Sequence, residues 1–344
     1  MKDNLYVDVH VIQTVPPSCV NRDDTGSPKT AVYGGVTRAR VSSQAWKKAT
    51  RSFFTEQGIR TKNLVSVIAN DIAALDNSVV ALDSSFAEAE ARKKATAVLN
   101  AAKLINAAGT LDALFFISPA QIHAVAQLAI DGVTNKTQIQ AALTGNNTYD
   151  IALYGRMVAA DPDLNSDASC QVAHAISTHR VDMEFDYFTA ADDASEADHA
   201  GGAMIGTVEF NSSTLYRYAN IAVHDLARQV GNADAVRAVK EFVTGFAKSM
   251  PTGKKNTFAN GTLPDYLLVT VRRDQPVNLV GAFERAIKSN DGYVEKSITA
   301  LKEYKAKVYG KWCDEAEHEY EVEAGTFTEL LNKLTEDLEN DLTA

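Results

Sequence analysis

The feature that most constrains the fold of this chain is a long alanine-rich stretch, residues 62–145, which interrupts sequence of a different kind. It contains few aromatic residues, and its apolar residues recur at helical spacing. The pattern predicts a long helix over residues 84–107 and a second helix from an N-cap at Thr134 to Gly145. The stretch is therefore interpreted as a helical insertion within a larger fold.

On both sides of the insertion, segments typical of strands alternate with segments typical of helices. The predicted strands are Leu5–Gln13, Val181–Ala190, Met204–Phe210, Thr214–Val223 and Tyr266–Arg272, with the third and fourth forming a hairpin around residues 211–213. The predicted helices are Ser42–Gln57, Asn232–Ser249, Val277–Lys288 and Ser297–Val308. The predicted turn and loop segments are 16–35 and 190–202. Strands separated by helices, with a hairpin, predict an α+β fold.

The charge of the chain is unevenly distributed. The net charge is −10, which taken alone argues against a nucleic-acid binder. Residues 313–344, however, hold eleven acids and one base, so this tail carries the whole net charge and the remaining body is neutral. A segment of this kind suggests the hypothesis that the tail repels unrelated nucleic acid.

Three cysteines lie far apart and form no CxxC pair, so we expect neither a structural zinc site nor a disulfide framework. The N-terminal segment carries Asp8 and His10 and does not have the pattern of a signal peptide. The longest uncharged stretch, 113–130, is too polar for a membrane span. We expect a soluble, cytoplasmic protein with no membrane partner, no metal and no cofactor.

A basic run, residues 36–62, stands out within the neutral body. It holds seven bases and one acid, a local charge of +6. On a helical wheel the apolar face is centred on Trp46. A separate cationic, hydrogen-bonding face carries Gln44, Lys47, Lys48 and Arg51.

Ser42 and Ser43 stand at the predicted start of this helix, where N–H groups and the helix dipole favour anions. A serine-capped helix with cations on one face suits a phosphate backbone, because the cations release condensed counterions on binding. A solvated surface helix with an ordinary N-cap explains the same charges. On the charge pattern alone, that second interpretation is the simpler one.

Several ordered motifs carry a resemblance to a known family. They are Pro17–Asp24, Tyr33-Gly34-Gly35, Arg38–Gln44, Asp150–Met157, Ala173–His179 and Tyr216–Ile221. Together they resemble the CasC family, the repeated backbone subunits of the type I-E CRISPR Cascade complex. The resemblance runs from about residue 5 to residue 300, and it is weak in the helical insertion and in the acidic tail.

The resemblance implies an α+β fold with a modified RNA-recognition-motif (ferredoxin-like) palm, a helical fingers insertion and a β-hairpin thumb. The implied domains are palm at 1–60 and 149–312, fingers at 61–148, thumb at about 185–212, and the acidic tail at 313–344. The implied partners are CRISPR RNA, target DNA, further copies of the chain and other Cascade subunits. The implied function is to polymerise along the guide RNA and present it in segments for pairing with target DNA, in antiviral defence.

The resemblance also implies RNA-binding residues at matching positions. The implied guide-backbone contacts are Lys29, Ser42, Ser43, Gln44, Lys47, Lys48 and Arg51. Arg156 is implied as a further RNA-binding residue. Met157 resembles an apolar side chain that lies against the bases, although core packing is an alternative for methionine. Lys254 and Lys255 form a basic turn that is either a further backbone contact or a solvated loop. The thumb segment contains acids and no base, which favours steric insertion and subunit contact over phosphate neutralisation.

Two other functional classes need to be weighed. Asp23 and Asp24 could hold a divalent metal beside a phosphate, as a metal-dependent ribonuclease would require. An Asx-type turn explains the same residues and is favoured, because CasC-like subunits are not expected to cleave. A purely structural assembly protein that never touches RNA is the other alternative. We therefore expect no catalytic residue in this chain.

Overall fold

The structure is a computed structural model that describes residues 4–80, 84–159, 161–190, 204–322 and 325–343. The strands within these ranges are β1 (Tyr6–Ser18), β2 (Thr30–Tyr33), β3 (Val36–Val41), β4 (Ile59–Thr61), β5 (Phe115–Ile117), β6 (Cys170–Val172), β7 (Ala175–Ser177), β8 (Glu184–Ala190), β9 (Met204–Ala222), β10 (Tyr266–Arg272) and β11 (His318–Glu321). The helices are α1 (Ser43–Arg51), α2 (Leu64–Leu75), α3 (Asn77–Val80), α4 (Ser84–Ala101), α5 (Pro119–Ile130), α6 (Lys136–Thr144), α7 (Tyr149–Tyr154), α8 (Val223–Val230), α9 (Asn232–Lys248), α10 (Lys255–Phe258), α11 (Val294–Val308) and α12 (Phe327–Thr343). Within the same ranges, 3₁₀ helices span Pro162–Leu164 and Leu279–Phe283.

The chain divides into two compact units, and both are discontinuous in sequence. The first, called the sheet unit here, comprises Met1–Phe53, Val172–Ala222 and Val239–Ala344. The second, called the helical unit, comprises Phe54–Gln171 and Val223–Ala238. The helical unit therefore contains the alanine-rich stretch together with α7, which the sequence assigned to the second part of the palm.

The sheet unit is built on an antiparallel sheet with strand order β11-β10-β1-β9-β7-β3-β2. β1 lies at the centre, where Val7 pairs with Ile221 on one side and Val271 on the other. Successive strand residues point to opposite faces, yet Val7, Asp8 and Val9 are all fully buried. Both faces of the sheet are therefore covered at its centre.

One face of the sheet carries tyrosines. Tyr216 of β9 and Tyr266 of β10 pack in one cluster with Phe283 of the 3₁₀ helix and Leu301 of α11. All four side chains are buried. These rings are therefore core residues and are not available for stacking on nucleic-acid bases.

One continuous strand replaces the hairpin that the sequence predicted around residues 211–213. A turn was expected at residues 211–213, but β9 runs without interruption for 19 residues. Its first part pairs with β8, from Glu184↔Phe210 to Ala190↔Met204, and its second part pairs with β1. The polar residues at 211–214 stay extended because β1 supplies backbone partners, including Ser213↔Val15, with an irregularity between Val15 and Ser18. The predicted loop from 191 to 202 lies outside the described residues.

Other element boundaries were also wrong. The first helix ends at Arg51 rather than Gln57. The helix expected at 277–288 is only the short 3₁₀ turn Leu279–Phe283, where Gly281 closely approaches Tyr304. The expected turn segment 16–35 contains the end of β1 and all of β2. The strand Tyr266–Arg272 is confirmed at both ends.

The helical unit packs helices around a core of aliphatic side chains. Ile68 of α2, Leu99 of α4, Val125 of α5 and Leu143 of α6 are all buried in one cluster. The buried alanines of α4, such as Ala95, leave room for neighbouring helices to approach closely. Among the described residues, no helix has the length and apolar character that a membrane span requires.

The acidic C-terminal segment is folded into the sheet unit. β11 is the edge strand beside β10, with Val271 opposite His318. α12 buries Leu330, Leu334 and Leu338, which recur at helical spacing along one face. The segment 313–344 is thus an integral strand and helix within its described residues.

A buried polar group lies at the centre of the sheet. Asp8 accepts hydrogen bonds from the Tyr218 hydroxyl at 2.6 Å and the Val277 N–H at 3.0 Å. Burial raises the pKa of Asp8 from 3.8 to about 7 despite these bonds. His10 is also fully buried, and burial lowers its pKa from 6.5 to about 3.

The raised pKa of Asp8 predicts a pH-dependent loss of stability. The folded state holds the Asp8 proton more tightly than the unfolded state, so stability from this group falls as pH rises from 3.8 to about 7. Asp8→Asn removes this loss and keeps an acceptor for Val277. We subtract the free energy of unfolding of the wild type from that of Asp8→Asn at each pH. We expect this difference to be more favourable to the variant at pH 8 than at pH 5 by roughly 1–3 kcal/mol. Urea denaturation at both pH values measures this, and an equal difference at the two pH values would contradict it.

Candidate nucleic-acid interface

The start of α1 is held by Asn21. The Asn21 side-chain oxygen accepts from the Ser42 N–H at 2.9 Å, and its backbone carbonyl accepts from the Lys29 N–H at 2.8 Å. The Ser42 hydroxyl accepts from the Ala45 N–H, and Ser42 is buried. Ser42 is therefore a buried N-cap, whereas Ser43 and Gln44 at the same helix end are more accessible, and the RNA contacts predicted for these residues remain predictions.

The apolar face of α1 is fixed by a buried arginine. Trp46 is completely buried, and the Arg217 guanidinium lies 3.6 Å from the centre of its ring and 4.4 Å from that of Phe246. Arg217 also donates to the Gln13 side-chain oxygen and to the Phe246 carbonyl. Burial lowers the pKa of Arg217 to about 9, so it remains protonated at neutral pH.

One flank of α1, which carries Ala45, Lys48 and Ala49, lines a cleft of about 900 Å³ in the sheet unit. Its walls are the loop 20–26, α1 and the segment 248–255. The basic residues of the lining are Arg22, Lys48, Lys248 and Lys255, and the acidic ones are Asp23 and Asp24. The structure thus brings together Lys48 and Lys255, which the sequence proposed separately, in one cleft with an excess of positive charge.

The basic turn at 251–255 is shaped by a glycine. A Cβ on Gly253 would lie 2.1 Å from the Val20 carbonyl oxygen, so only glycine allows the turn to close against this loop. Lys254 follows in the left-handed region at φ 49° and is half-buried, and Lys255 is exposed. The close approach explains how Lys255 comes to line the same cleft as Lys48.

The other predicted contacts of the sheet unit occupy mixed environments. Gln44 and Lys48 are exposed, whereas Lys29, Lys47 and Arg51 are half-buried. All five remain predictions as RNA contacts.

Two further bases of the sheet unit are held within the protein. Arg40 donates to the Thr30 carbonyl at 3.0 Å and pairs with His174 at 3.1 Å. Arg38, counted in the basic run, is fully buried and donates to the Ser177 and Phe283 carbonyls at 2.8 Å. Arg38 therefore contributes to the sequence charge and not to the surface.

In the helical unit, Arg156 is a correction to the predicted site. It is buried, and its guanidinium donates to the carbonyls of Leu164, Phe116 and Leu143 at 2.7–3.0 Å. An arginine whose donors are taken by buried carbonyls cannot also hold a phosphate. Arg156 is therefore an anchor for the loop that contains Met157.

Met157 directly follows this anchor and has the opposite exposure. Its side chain is 83% exposed, which rules out core packing. The preceding Gly155 has a φ of 75°, and a Cβ there would lie 2.9 Å from the Ser166 carbonyl oxygen. The loop is thus held by Gly155 and the buried Arg156, and it presents the apolar side chain of Met157 to solvent.

The loop at Asp23 and Asp24 has the geometry of an Asx turn. Asp23 Oδ1 accepts from the Thr25 N–H, the Thr25 hydroxyl and the Ser27 N–H at 2.7–3.0 Å. The hydrogen bond from the Thr25 side chain is the main cause that holds the pKa of Asp23 below its usual value. This oxygen is committed to the turn, which is the interpretation that the sequence favoured.

Among the described residues, one cluster has three potential metal ligands, Glu317, His318 and Asp341. Arg273 already donates to both carboxylates of this cluster. His179, a further histidine of the sequence motifs, accepts from the Thr214 N–H and stacks on Tyr293 at 3.7 Å. These groups are accounted for by contacts within the protein.

The β8–β9 hairpin has an exposed apolar face. Phe185, Tyr187 and Ile205 are each more than 60% exposed, and all three lie on one face of the hairpin by strand alternation and register. Contiguous exposed apolar side chains mark interaction surfaces. The expectation that the hairpin acts by insertion and subunit contact remains a prediction.

The fold is shared with chains of solved RNA-guided complexes. One, described as a "CRISPR RNA-guided surveillance complex, pre-nicking", matches with a TM-score of 0.85 and 31% identity over 97% of this chain and 100% of that chain. Another, described as a "CRISPR RNA-guided surveillance complex", matches with a TM-score of 0.63 and 28% identity over 96% and 99%. No curated protein matches the chain. The chain belongs to the CT1975-like protein family, which matches residues 7–342.

Three residues that shape the interface were not predicted to do so. Asn21 and Arg217 lie inside motifs that the sequence singled out, but nothing in those motifs shows that one caps α1 and the other stacks beneath it. Gly253 sits in the predicted basic turn, and a glycine between Thr252 and Lys254 was the available signal of a close backbone approach.

Proposed function

We propose that the protein is a CRISPR RNA-binding backbone subunit of a Cascade surveillance complex of type I-E, acting in the cytoplasm in antiviral defence. Copies of the chain polymerise along the guide RNA, join the other Cascade subunits, and present the guide in segments for pairing with target DNA. The observation that carries the proposal is the near-complete match, at 31% identity, to a chain of an RNA-guided surveillance complex.

In this proposal, the cleft of the sheet unit holds the guide backbone. Lys48 on α1 and Lys255 on the opposite wall are both exposed and positively charged. Cations on two walls of one cleft can neutralise successive phosphates, and each contact releases counterions. Further guide contacts are proposed at residues that do not line the cleft: Lys29, Ser43, Gln44, Lys47, Arg51 and Lys254.

The palm is proposed to be a modified RNA-recognition motif that does not use its sheet face. In the ordinary motif, exposed aromatic rings on the sheet stack on bases. Here Tyr216 and Tyr266 are buried beneath Leu301 of α11 and Phe283. Binding at the side of the sheet, through α1 and the turn after α9, replaces stacking on its face.

Base positioning is proposed to fall to apolar side chains. Met157 projects from a loop anchored by Arg156, and such a side chain can wedge between stacked bases. The hairpin residues Phe185 and Tyr187 offer apolar surface for insertion beside the RNA or contact with another copy. These groups make no phosphate contacts, so their part is steric.

The first test concerns the two lysines of the cleft. We expect Lys48→Ala with Lys255→Ala to weaken guide retention and to reduce the magnitude of the salt slope of binding by about 1.4, because two contacts to single-stranded RNA are lost. Copurified guide RNA and salt-dependent filter binding measure this. The matched control is Lys311→Ala with Lys333→Ala, two exposed lysines elsewhere in the sheet unit. An effect of equal size in both pairs would refute the assignment of the cleft.

The subunit is also proposed to be non-catalytic. Asp23 Oδ1 accepts hydrogen bonds from Thr25 and Ser27, which supports a role of Asp23 in the turn. We expect labelled RNA incubated with the assembled complex and magnesium to remain intact, as followed on a denaturing gel. Cleavage that Asp23→Asn or Asp24→Asn abolishes would instead establish the metal-dependent ribonuclease.

A further inference from the structure

The acidic C-terminal segment contains a regular pattern that the proposed function does not use. Glutamates occupy every second position at 315, 317, 319, 321 and 323. A period of two places alternate side chains on one face of a strand. The structure forms β11 within this pattern, at the edge of the sheet next to β10.

Each of the three central glutamates of this row forms an ion pair with a base. These glutamates are Glu317, Glu319 and Glu321. Glu317 accepts two hydrogen bonds from Arg273 Nε, at 3.0 and 2.9 Å. Glu319 pairs with Lys305, and Glu321 pairs with Lys302 at 3.0 Å.

Further contacts hold the row in place. Asp341 of α12 pairs with Arg273 at 2.8 Å. The Tyr266 hydroxyl donates to Glu321 at 2.7 Å.

The three bases form a stripe, named here the β10–α11 stripe and consisting of Arg273, Lys302 and Lys305. Lys302 and Lys305 are three residues apart on α11 and therefore share a face. Partly exposed ion pairs of this kind add little to folding stability. Stability alone therefore does not account for the pairing of all three bases with glutamates. Their other effect is to cancel three positive charges on one surface of the sheet unit.

We propose that the glutamate row Glu317, Glu319 and Glu321 closes the β10–α11 stripe to nucleic acid and thereby restricts phosphate binding in the sheet unit to the cleft. This rests on the proposed function, since a protein that binds RNA backbone through a few lysines will bind unrelated RNA through any other open cationic stripe. The row acts by pairing with specific bases, not by general repulsion from the net charge.

Deletion of residues 313–344 would be a poor test of this proposal. α12 contributes Leu330, Leu334 and Leu338 to the core, so the deletion removes packing together with charge. Isosteric neutralisation separates the two effects. Glutamine keeps an oxygen that accepts from the same arginine or lysine but carries no charge.

The experiment compares two charge-matched triple variants of the full chain. Glu317→Gln/Glu319→Gln/Glu321→Gln opens the stripe, and Glu329→Gln/Glu336→Gln/Glu339→Gln removes the same charge from exposed positions of α12. The probe is short polyuridine RNA in filter binding at 50 and 200 mM salt. Arg273 keeps its ion pair with Asp341, so the first variant removes the charged partner of two bases, Lys302 and Lys305. Two added contacts steepen the salt slope by about 1.4, so we expect the affinity ratio between the two salts to rise by about 7-fold for the first variant and to stay near the wild-type value for the second.

A third variant identifies the bases. Adding Arg273→Gln/Lys302→Gln/Lys305→Gln to the opened stripe should abolish the gain in affinity. An equal gain in both triple variants, no gain in the first, or a gain that survives loss of the three bases would each overturn the proposal.

Two controls keep the outcome interpretable. The base variant in the wild-type background should bind polyuridine as the wild type does, and it provides a test if the opened stripe fails to fold. Weaker polyuridine binding by that variant would show that the stripe is already open, which also overturns the proposal. Guide copurification in the same preparations reports on the proposed function separately.

Discussion

The buried guanidinium of Arg217 is the interaction on which the geometry of the interface depends. A charge buried without compensation is costly, and here the compensation comes from two ring faces, the Gln13 side-chain oxygen and the Phe246 carbonyl. Trp46 belongs to α1, Phe246 to the last turn of α9, and Gln13 to the central strand β1. The negative end of the α9 dipole lies at that last turn and favours the cation. One side chain thereby joins the sheet to α1 and to the end of α9, where the cleft-lining segment 248–255 begins.

The arrangement shows why net charge is a poor guide to the function of this chain. Bases are used in three ways: buried as structural donors in Arg38, Arg156 and Arg217, paired with acids in Arg273, and open to solvent in Lys48. Only the last use produces a surface for phosphate. The acids of residues 313–344 cancel bases in their own neighbourhood, so a total of −10 coexists with a cationic cleft.

The sequence predicted those parts of the fold in which local pattern and tertiary packing agree. The β-branched run Tyr266–Arg272 forms β10 with both predicted ends, and α9 begins at Asn232 as expected. The prediction from sequence failed where contacts with residues distant in the chain override the local preference for a turn or a helix. Residues 211–213 have turn chemistry but are extended by pairing with β1, and Val277–Lys288 has helical composition but only a 3₁₀ turn.

The candidate site was predictable in the same uneven way. Helical periodicity placed Lys48 on a cationic face of α1, and the turn at 251–255 was visible from its lysines. That the two share one cleft depends on Gly253 and on the contacts beneath α1, which are long-range in sequence. Arg156 and Met157 are neighbours in one motif, yet one is buried and the other 83% exposed. Burial of this kind is set by the tertiary fold and has no local signature.

The central claim is that the cleft beside α1 is the RNA surface of the sheet unit. Ultraviolet crosslinking of the complex purified through this chain, followed by mass spectrometry of the RNA-linked peptides, tests it most directly. The account predicts crosslinks in peptides from residues 36–62 and 248–258, together with the peptide that contains Met157. Copurified RNA that crosslinks only elsewhere, or a complex without RNA, would contradict it.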